Sequence, residues 1–231
     1  MIQAGLYNLD CMDAMKEFPD KFFDLAIVDP PYGGGQQSEF IGKRWDGTRF
    51  GGRFDKYHIG EQDGLHMGFE VPPTNKGADI RCWDVAPPPE YFQELARISR
   101  NQIIWGGNYF RLPPTRCFIV WRKLSIGENF SMAMCEYAWT SFNANAKYYE
   151  CAPQDKSRFH PTQKPVSLYQ FCLKHFSKDG DKILDTHAGS ASSLVACHRA
   201  GLECWGFEID KVYYDKAKER LEREMAQQRL F

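Results

Sequence analysis

Residues 182–210 read KILDTHAGSASSLVACHRAGLECWGFEID, and this stretch decides the predicted fold. Its hydrophobic pattern predicts a strand, a helix, a glycine stop and a second strand, in the order 182–184, 193–200, Gly201 and 203–207. Gly189 lies in the first turn, and Glu208 closes the second strand 19 positions later. Such a βαβ unit is typical of an open, mostly parallel sheet with helices on both faces.

The turn at Gly189 favours a nucleoside ligand. In nucleotide-binding sheets, an acid such as Glu208 accepts hydrogen bonds from ribose hydroxyls, and the glycine lets the ligand approach the backbone. A dinucleotide site uses three glycines around the pyrophosphate, whereas the later positions here hold Ala191 and Ser193. The loop therefore suits an adenosine ligand without phosphates. An ordinary turn with a solvated Glu208 is the alternative.

A second informative turn follows the apolar run Phe22 to Val28, which contains only Asp24 as a charged residue. This run predicts a strand buried on both faces. It stops at Asp29-Pro30-Pro31-Tyr32, because two prolines can continue neither a strand nor a helix. Asp29 is thus expected in the crevice where open α/β sheets bind ligands.

The composition of this tetrad suits a planar ring that carries an exocyclic NH2 group. The Asp29 carboxylate and the Pro30 carbonyl can each accept one N–H, while Tyr32 offers a flat face for stacking. Two acceptors favour a pyramidal nitrogen and free its lone pair for attack on a positively charged methyl donor. The protein would contribute mainly positioning and electrostatics. A tight turn after a strand is the simpler alternative.

The remaining pattern alternates strands and helices. Predicted strands cover 2–9, 102–105, 117–121 and 135–142. Predicted helices cover 10–18, 90–99, 165–176 and 212–227. The strands 117–121 and 135–142 have no obvious helix between them, which suggests an antiparallel hairpin at one edge of the sheet. We expect one domain over residues 1–231.

Two segments lack a clear period. Residues 33–87 are rich in glycine and form a long loop or a small irregular excursion, and residues 143–160 are polar and loop-like. Basic and aromatic residues alternate within the excursion, in a pattern that suits phosphate contact and base stacking: Lys43, Arg44, Trp45, Arg49, Phe50, Arg53, Phe54, Lys56 and Tyr57. A solvated loop of balanced charge fits the same residues.

The composition is that of a soluble globular protein, with 43% hydrophobic and 26% charged residues and a net charge of -1. Eight cysteines are scattered singly without a Cys-x-x-Cys pair, so we expect neither a zinc site nor disulfides. There is no signal-like N-terminus and no apolar run of membrane-spanning length. We therefore expect a cytoplasmic protein with no membrane association and no metal.

Together these residues resemble the DNA amino-methyltransferases, in the permuted group whose catalytic loop precedes its cofactor loop. The resemblance extends over nearly the whole chain. Its most specific part is His160-Pro161-Thr162-Gln163-Lys164-Pro165, and three further stretches are similar to family signatures: 8–11 with 18–32, 185–190 and 206–221.

The resemblance implies a Rossmann-like methyltransferase fold that uses S-adenosylmethionine and acts on DNA with the target base flipped out of the duplex. It implies catalysis by Asp29, Pro30, Pro31 and Tyr32. Asp10 and Cys11 would contact the adenine of the cofactor, Thr162 and Lys164 its methionine end, and Glu208 its ribose. The implied cofactor site is completed by His160, Asp185, His187, Gly189 and Ser190.

The first residue of the tetrad bears on the target. Asp29 is similar to the adenine-N6 enzymes, because cytosine-N4 relatives more often carry serine there. Two departures stand out: Thr186-His187 replaces the usual Pro-Phe, and Ala191 stands where a second glycine is common. The segment 143–159 is also short for a target-recognition region.

Other functions remain compatible with the sequence. The same chemistry could act on cytosine N4 or on RNA. From other classes, a nicotinamide-dependent oxidoreductase would use Gly189 and Glu208 but leave the tetrad unexplained, and a non-catalytic nucleic-acid-binding module could keep the fold. The pattern leaves open whether the chain is a monomer or a homodimer, and which DNA sequence it recognises.

Overall fold

The computed structural model describes residues 2–32, 85–127, 133–153 and 158–227. The chain divides into two compact units: the larger comprises Met1–Pro30 and Pro87–Phe231, and the smaller Pro31–Ala86. The Gly-rich excursion 33–87 falls almost entirely within the smaller unit. Apart from residues 85–87 it lies outside the described residues, as do its basic and aromatic side chains.

The larger unit is an α/β structure built on one sheet. The strands are β1 (Gly5–Tyr7), β2 (Phe23–Val28), β3 (Ser99–Trp105), β4 (Phe118–Lys123), β5 (Cys135–Thr140), β6 (Lys147–Cys151), β7 (Lys182–Asp185) and β8 (Glu203–Phe207). The helices are α1 (Cys11–Met15), α2 (Pro89–Ile98), α3 (Val166–Phe176), α4 (Ser192–Ala200) and α5 (Lys211–Ala226), with a 3-10 turn at Gly107–Tyr109.

The sheet has the order β1-β8-β7-β2-β3-β5-β4-β6. The first five strands in this order are mutually parallel, β5 runs antiparallel to both β3 and β4, and β6 is parallel to β4. The predicted fold class is therefore confirmed: a mostly parallel sheet with helices and an antiparallel pair.

Strand β2 shows why the sequence folds this way. Leu25 and Ile27 pack on one face with residues of α3 and α4, whereas Ala26 and Val28 pack on the other with residues of α1 and α2. All four side chains are fully buried or nearly so. A strand covered on both faces needs a continuous apolar run, which is the pattern of its sequence.

The exception within this run, Asp24, has specific partners. Its carboxylate lies 3.2 Å from the guanidinium of Arg100 on β3 and accepts a hydrogen bond of 3.0 Å from the backbone N–H of Lys182 on β7. Asp24 thereby links β2 to both of its neighbours.

Two sequence predictions about this sheet are wrong. The stretch predicted as loop-like, 143–160, contains strand β6 (Lys147–Cys151), and β6 rather than the β4–β5 pair forms that edge of the sheet. Strand β6, with the sequence Lys-Tyr-Tyr-Glu-Cys, pairs with β4 in parallel, so no turn signal marks the pairing in the sequence.

The ends of other elements also differ from the prediction. The first strand is shorter than 2–9, and the first helix ends at Met15 rather than near residue 18. Strand β3 begins at Ser99, directly after α2, three residues before the predicted start. In the described part of the chain, no helix is long and apolar enough to cross a bilayer.

Candidate active site

The candidate site lies at the carboxyl edge of the parallel strands. Because β1, β8, β7, β2 and β3 run in the same direction, the residues that follow them meet at one edge. The polar groups there are Asn8 after β1, Asp29 after β2, Asp185 at the end of β7 and Glu208 after β8. The sequence-predicted turns are thus brought together.

Asp185 is fixed by the turn that it begins. Its carboxylate accepts a hydrogen bond of 3.1 Å from the backbone N–H of His187 and a short one from the hydroxyl of Ser193, the second residue of α4. The side chain is almost fully buried. Burial raises the pKa of Asp185 to about 7, although both hydrogen bonds oppose the shift.

Glu208 closes the glycine loop. One carboxylate oxygen accepts a hydrogen bond of 2.8 Å from the N–H of Gly189, and the other accepts one of 2.8 Å from the N–H of Asp210. Burial raises the pKa of Glu208. A carboxylate has about four acceptor positions, so Glu208 keeps capacity for further donors such as ribose hydroxyls.

The backbone of this loop is poorly suited to a phosphate. The N–H groups of residues 187, 188, 189 and 191 donate to Asp185, Phe207, Glu208 and Ala188, respectively. A pyrophosphate site needs such groups to point at the ligand. The loop therefore supports the interpretation of a phosphate-free ligand and speaks against a nicotinamide dinucleotide.

Gly189 is required at its position. It adopts a left-handed φ of +52°, and an added Cβ would lie 3.3 Å from the imidazole of His160. The His160 ring packs edge-on against Tyr213, with 4.3 Å between ring centroids, and its Nδ1 lies 3.3 Å from the N–H of Thr162. Burial lowers the pKa of His160 to about 4, so the ring is neutral at pH 7.

His187 belongs to a hydrogen-bonded row behind the loop. The hydroxyl of Tyr91 lies 2.6 Å from that of Thr186, which in turn lies 2.9 Å from Nδ1 of His187. The other ring nitrogen lies 4.0 Å from the sulfur of Cys11. Burial lowers the pKa of His187 to about 4 and raises that of Cys11 to about 12, so both groups are neutral at pH 7.

The ends of β1 and β8 are tied to each other. The amide of Asn8 donates to the carbonyls of Glu208 and Ile209 at 2.8 and 3.0 Å. Asp10 caps α1 by accepting a hydrogen bond of 2.7 Å from the N–H of Met12. Apolar side chains remain exposed beside these polar groups, namely Leu9, Ile209 and Val212. Such an edge offers apolar surface to a planar ring.

Asp29 is paired with a buried lysine. The ammonium of Lys164 donates a short hydrogen bond to the Asp29 carboxylate and lies 3.2 Å from the carboxylate of Glu136 on β5. Burial alone would lower the pKa of Lys164, but the charges of Asp29 and Glu136 outweigh it and raise the pKa well above its usual range. Lys164 is therefore a permanent cation beside Asp29.

The larger unit thus holds Asp29, Pro30 and all the sequence-predicted cofactor residues. Direct contacts join Asp29 to Lys164, Gly189 to Glu208 and Thr162 to His160. Pro31 and Tyr32 belong to the smaller unit. Thr162 is the exposed residue of the His160–Pro165 segment, and Asp10 is also exposed. Ser190 is buried, and its carbonyl accepts a hydrogen bond of 2.9 Å from Arg220.

Sequence reasoning missed several residues at the site: Tyr91, Glu136 and Ser193. Each acts through another element, so no local pattern identifies it. Glu136 does carry a signal, because it is the one acidic residue within the apolar run of β5. Among the described residues, no group of three His, Cys, Asp or Glu side chains could hold a metal ion.

The sequence is also similar to a known protein family and to individual proteins. The model of a family described as DNA methylase matches residues 99–219, just over half of the chain. The protein YubD of Escherichia coli (strain K12) is 35% identical over 227 residues, which cover 92% of this chain and 87% of that protein. The type II methyltransferase M.HpaI of Haemophilus parainfluenzae is 40% identical over 65 residues.

The match to M.HpaI is local. It covers 28% of this chain and 21% of M.HpaI, so the chain spans about a fifth of the length of that relative. The similarity to YubD, by contrast, extends along most of both proteins.

Solved structures share the fold at low sequence identity. The complex of M1.HpyAVI with SAM has a TM-score of 0.55 at 19% identity and covers 96% of this chain and all of that one. The PvuII DNA methyltransferase, cytosine-N4-specific, has a TM-score of 0.57 at 10% identity and covers 100% of this chain and 89% of that one. These likenesses show the architecture.

Proposed function

The chain belongs to the N6/N4 DNA methylase family, and from that premise we propose that it transfers a methyl group from S-adenosylmethionine to N6 of adenine in DNA. One observation carries the proposal. The carboxylate of Asp29 follows a parallel strand whose apolar side chains are buried, and the turn after the neighbouring strand, β7, is closed by the hydrogen bond from Gly189 to Glu208, an arrangement that suits a phosphate-free nucleoside.

The cofactor edge fits S-adenosylmethionine in its chemistry. This cofactor supplies an electrophilic methyl group on a positively charged sulfur, and it carries no phosphate. Glu208 would accept hydrogen bonds from the ribose hydroxyls, while Asp10, Cys11 and the exposed Ile209 would contact the adenine. The rest of the cofactor site would be lined by the remaining predicted residues: Asp185, His187, Gly189, Ser190, His160, Thr162 and Lys164.

The reacting amine would be held by the tetrad 29–32. The Asp29 carboxylate and the Pro30 carbonyl each accept one of its N–H groups, Pro31 fixes the backbone direction, and Tyr32 stacks on the flipped base. The amine nitrogen then becomes more nucleophilic. As the new N–C bond forms, the bond between the methyl carbon and the sulfonium sulfur would break and leave a neutral thioether. The nitrogen acquires positive charge, and one of its protons then passes to the carboxylate of Asp29.

Lys164 supports this role. Its ammonium donates a short hydrogen bond to the Asp29 carboxylate, and a neighbouring positive charge favours the ionised form of a carboxylate, which can only accept hydrogen bonds. The pair also fixes the direction of the carboxylate at the end of β2. Both effects prepare an acceptor before the base arrives, which is the main way in which such a site lowers the barrier.

The preference for adenine rests on Asp29, since an aspartate at this position is similar to the adenine-N6 enzymes. Methylation of cytosine N4 is the second candidate, because the family joins both activities and PvuII DNA methyltransferase is cytosine-N4-specific. The same chemistry on an RNA base is a further alternative. We expect the enzyme to act in the cytoplasm, with DNA as its partner.

The decisive experiment is nucleoside analysis of DNA from cells that express the protein, followed by sequencing for modified positions. We expect N6-methyladenine within one short recognition sequence. The matched control is Asp29→Ala, which should abolish the modification while S-adenosylmethionine still binds in calorimetry.

N4-methylcytosine alone would refute the adenine assignment. Unmodified DNA together with methylated RNA would refute DNA as the substrate. Unchanged modification in the Asp29→Ala protein would show that the catalytic loop is wrongly assigned.

A further inference from the structure

Four charged side chains of alternating sign form a row that leads to Asp29. The ammonium of Lys123 on β4 lies 2.6 Å from one carboxylate oxygen of Glu136 on β5, and the ammonium of Lys164 lies 3.2 Å from the other. Lys164 in turn pairs with Asp29. The three residues behind Asp29 thus form a row that comes from three separate elements.

This row is largely shielded from solvent. The side chains of Lys164 and Lys123 are 5% and 8% exposed, and those of Asp29 and Glu136 are 11% and 24% exposed. The Lys164 ammonium also lies 5.5 Å from the centre of the Trp105 ring. Charges in such surroundings interact more strongly than at the surface, so each member of the row affects the next.

We propose that Glu136 is a positioning residue for catalysis: it balances the charge of Lys164 and so keeps Asp29 an effective proton acceptor. This inference rests on the proposed function. Glu136 has no need to touch the substrate, because its effect passes through Lys164 to the carboxylate that accepts the proton.

The physical argument concerns the field at Asp29. An ammonium next to a carboxylate stabilises its ionised form and weakens it as a base. Glu136 opposes that pull from the other side of Lys164, and Lys123 in turn neutralises Glu136. Without the charge of Glu136, nothing within the row would offset the pull of Lys164 on Asp29, and the charge of Lys123 would add to it. Asp29 would then stay ionised to lower pH and accept a proton less readily.

Other titratable groups that face the row come from the packed elements around it. They are Tyr169 on α3, Asp185 at the end of β7, Tyr91 on α2, and His160 and the guanidinium of Arg158 from the segment before α3. All of them remain in the variants below, so a change in pH dependence between variants reports on Glu136.

The test is Glu136→Gln, which keeps the size of the side chain and removes its charge. Methyl transfer from tritiated S-adenosylmethionine to DNA is measured from about pH 3 to about pH 9, a window that includes the ordinary range of an aspartate. We expect the rate on the plateau to fall by about two- to tenfold, the most that a base weakened by this amount can lose. We also expect the acidic limb of the pH profile to move to lower pH, by on the order of half a unit to one unit.

Two further variants complete the design. Lys123→Met combined with Glu136→Gln restores the charge balance, and we expect it to return the acidic limb toward its wild-type position. Glu150→Gln is the matched control, because Glu150 is an exposed glutamate on β6 that pairs with Arg122 at 3.3 Å. We expect it to keep the wild-type rate and profile.

Calorimetric binding of S-adenosylmethionine gives a readout that is independent of turnover. We expect an affinity within about threefold of wild type in Glu136→Gln, because the ammonium of Lys164 is retained. An unchanged rate would overturn the proposal. A parallel loss of rate and of cofactor affinity, with the acidic limb of the pH profile unshifted, would also overturn it, because this pattern indicates a purely structural role.

A failure of the proposed function gives a different pattern, namely wild-type protein that binds the cofactor but methylates no DNA. Should Glu136→Gln not unfold cooperatively, the charge-balanced double variant and Glu136→Asp, which keeps the charge, carry the same comparison. If the Lys123→Met, Glu136→Gln protein has the wild-type rate and the wild-type acidic limb, the proposal is supported. If this protein is as slow as Glu136→Gln, the proposal is overturned.

Discussion

His187 is a partly buried, neutral histidine in a position that the resemblance assigns to cofactor packing. Its Nδ1 is engaged by Thr186, and its ring packs edge-on against Tyr91, with 5.4 Å between ring centroids. Protonation would place a charge in surroundings that do not solvate it, which is why its pKa falls to about 4. The titration of His187 therefore contributes to the pH dependence of the free energy of unfolding.

Replacing His187 by Phe should weaken the acid sensitivity of the fold. In the unfolded chain a histidine takes up a proton near pH 6.5, whereas folded His187 does so only near 4, so its contribution to stability is lost as the pH falls from 6.5 toward 4. Between about pH 7 and about pH 5, wild type should lose roughly 1–2 kcal/mol more than His187→Phe. Urea unfolding at the two pH values measures the difference.

His160 and Asp185 are present in both proteins and cancel in this comparison. His160 acts in the same direction as His187, whereas Asp185, with its pKa raised to about 7, gains stability as the pH falls from 7 toward 4. Equal losses in wild type and His187→Phe would show that the imidazole of His187 is not desolvated as the structure indicates.

At this scale the sequence predicted the residues that end strands and missed those that act across elements. Asp29, Asp185 and Glu208 follow apolar runs, so their place at the carboxyl edge follows from chain direction. Glu136 and Tyr91 reach the site only because β5 and α2 pack there. That packing depends on contacts between residues far apart in the sequence, which hydrophobic periodicity does not encode.

The turn after β3 is the element that holds Trp105 against the lysine of the site. Gly106 has a left-handed φ of +66°, and its N–H donates to the carbonyl of Tyr137 on β5 at 2.9 Å. At Gly107 the backbone comes so close to β5 that an added Cβ would lie 2.4 Å from Cβ and 3.0 Å from the backbone nitrogen of Trp139. The contact is with backbone, so it cannot be relieved by a side-chain rotation.

Gly107→Ala should therefore destabilise the fold by about 1–3 kcal/mol or more, because one strand must move away from the turn. Thermal and urea unfolding measure the effect. The matched control is Gly127→Ala, where no other atom lies within 4 Å of the added Cβ. A Gly107→Ala protein as stable as this control would contradict the close approach of the turn to β5.

Strand β6 could not be predicted from its local sequence. Its five residues alternate between partly buried and exposed positions, and neither face is apolar enough to stand out against a loop. The strand exists because β4 offers a parallel partner, and such a partner lies outside any local window. By contrast, β2 was predictable because both of its faces are buried.

At the scale of the whole molecule, the alternation of strands and helices sufficed to predict the fold class. Parallel strands need crossovers, and the helices predicted between apolar runs supply them. The order of the strands was not predictable in the same way, because β5 inserts between β3 and β4. That order brings Glu136 within reach of Lys164, which pairs with Asp29 after β2.

Ligand binding should stabilise the molecule as a unit and separate two of the function classes. A ligand at about one hundred times its Kd stabilises the native state by about 2.7 kcal/mol. For a domain of this size this corresponds to a rise in Tm of about 5–10 °C. We expect S-adenosylmethionine to produce it and NAD to leave the Tm unchanged, as measured by differential scanning calorimetry.

The reverse result would favour the oxidoreductase and contradict the assignment of the Gly189 loop. Glu208→Ala is the accompanying variant, since it removes the acceptor expected to bind the ribose. We expect the shift caused by S-adenosylmethionine to shrink in this protein.

The pairing of β1 with β8 determines when the sheet can be completed during synthesis. Gly5 lies opposite Trp205, so the first strand has to wait for some 200 further residues before its neighbour in the sheet exists. At ribosomal speeds of about 5–20 residues per second, that interval is roughly 10–40 s. Asn8, which follows β1, is therefore made long before Glu208, whose carbonyl accepts its hydrogen bond. A chain released before β8 is made should consequently be unable to capture the methyl donor.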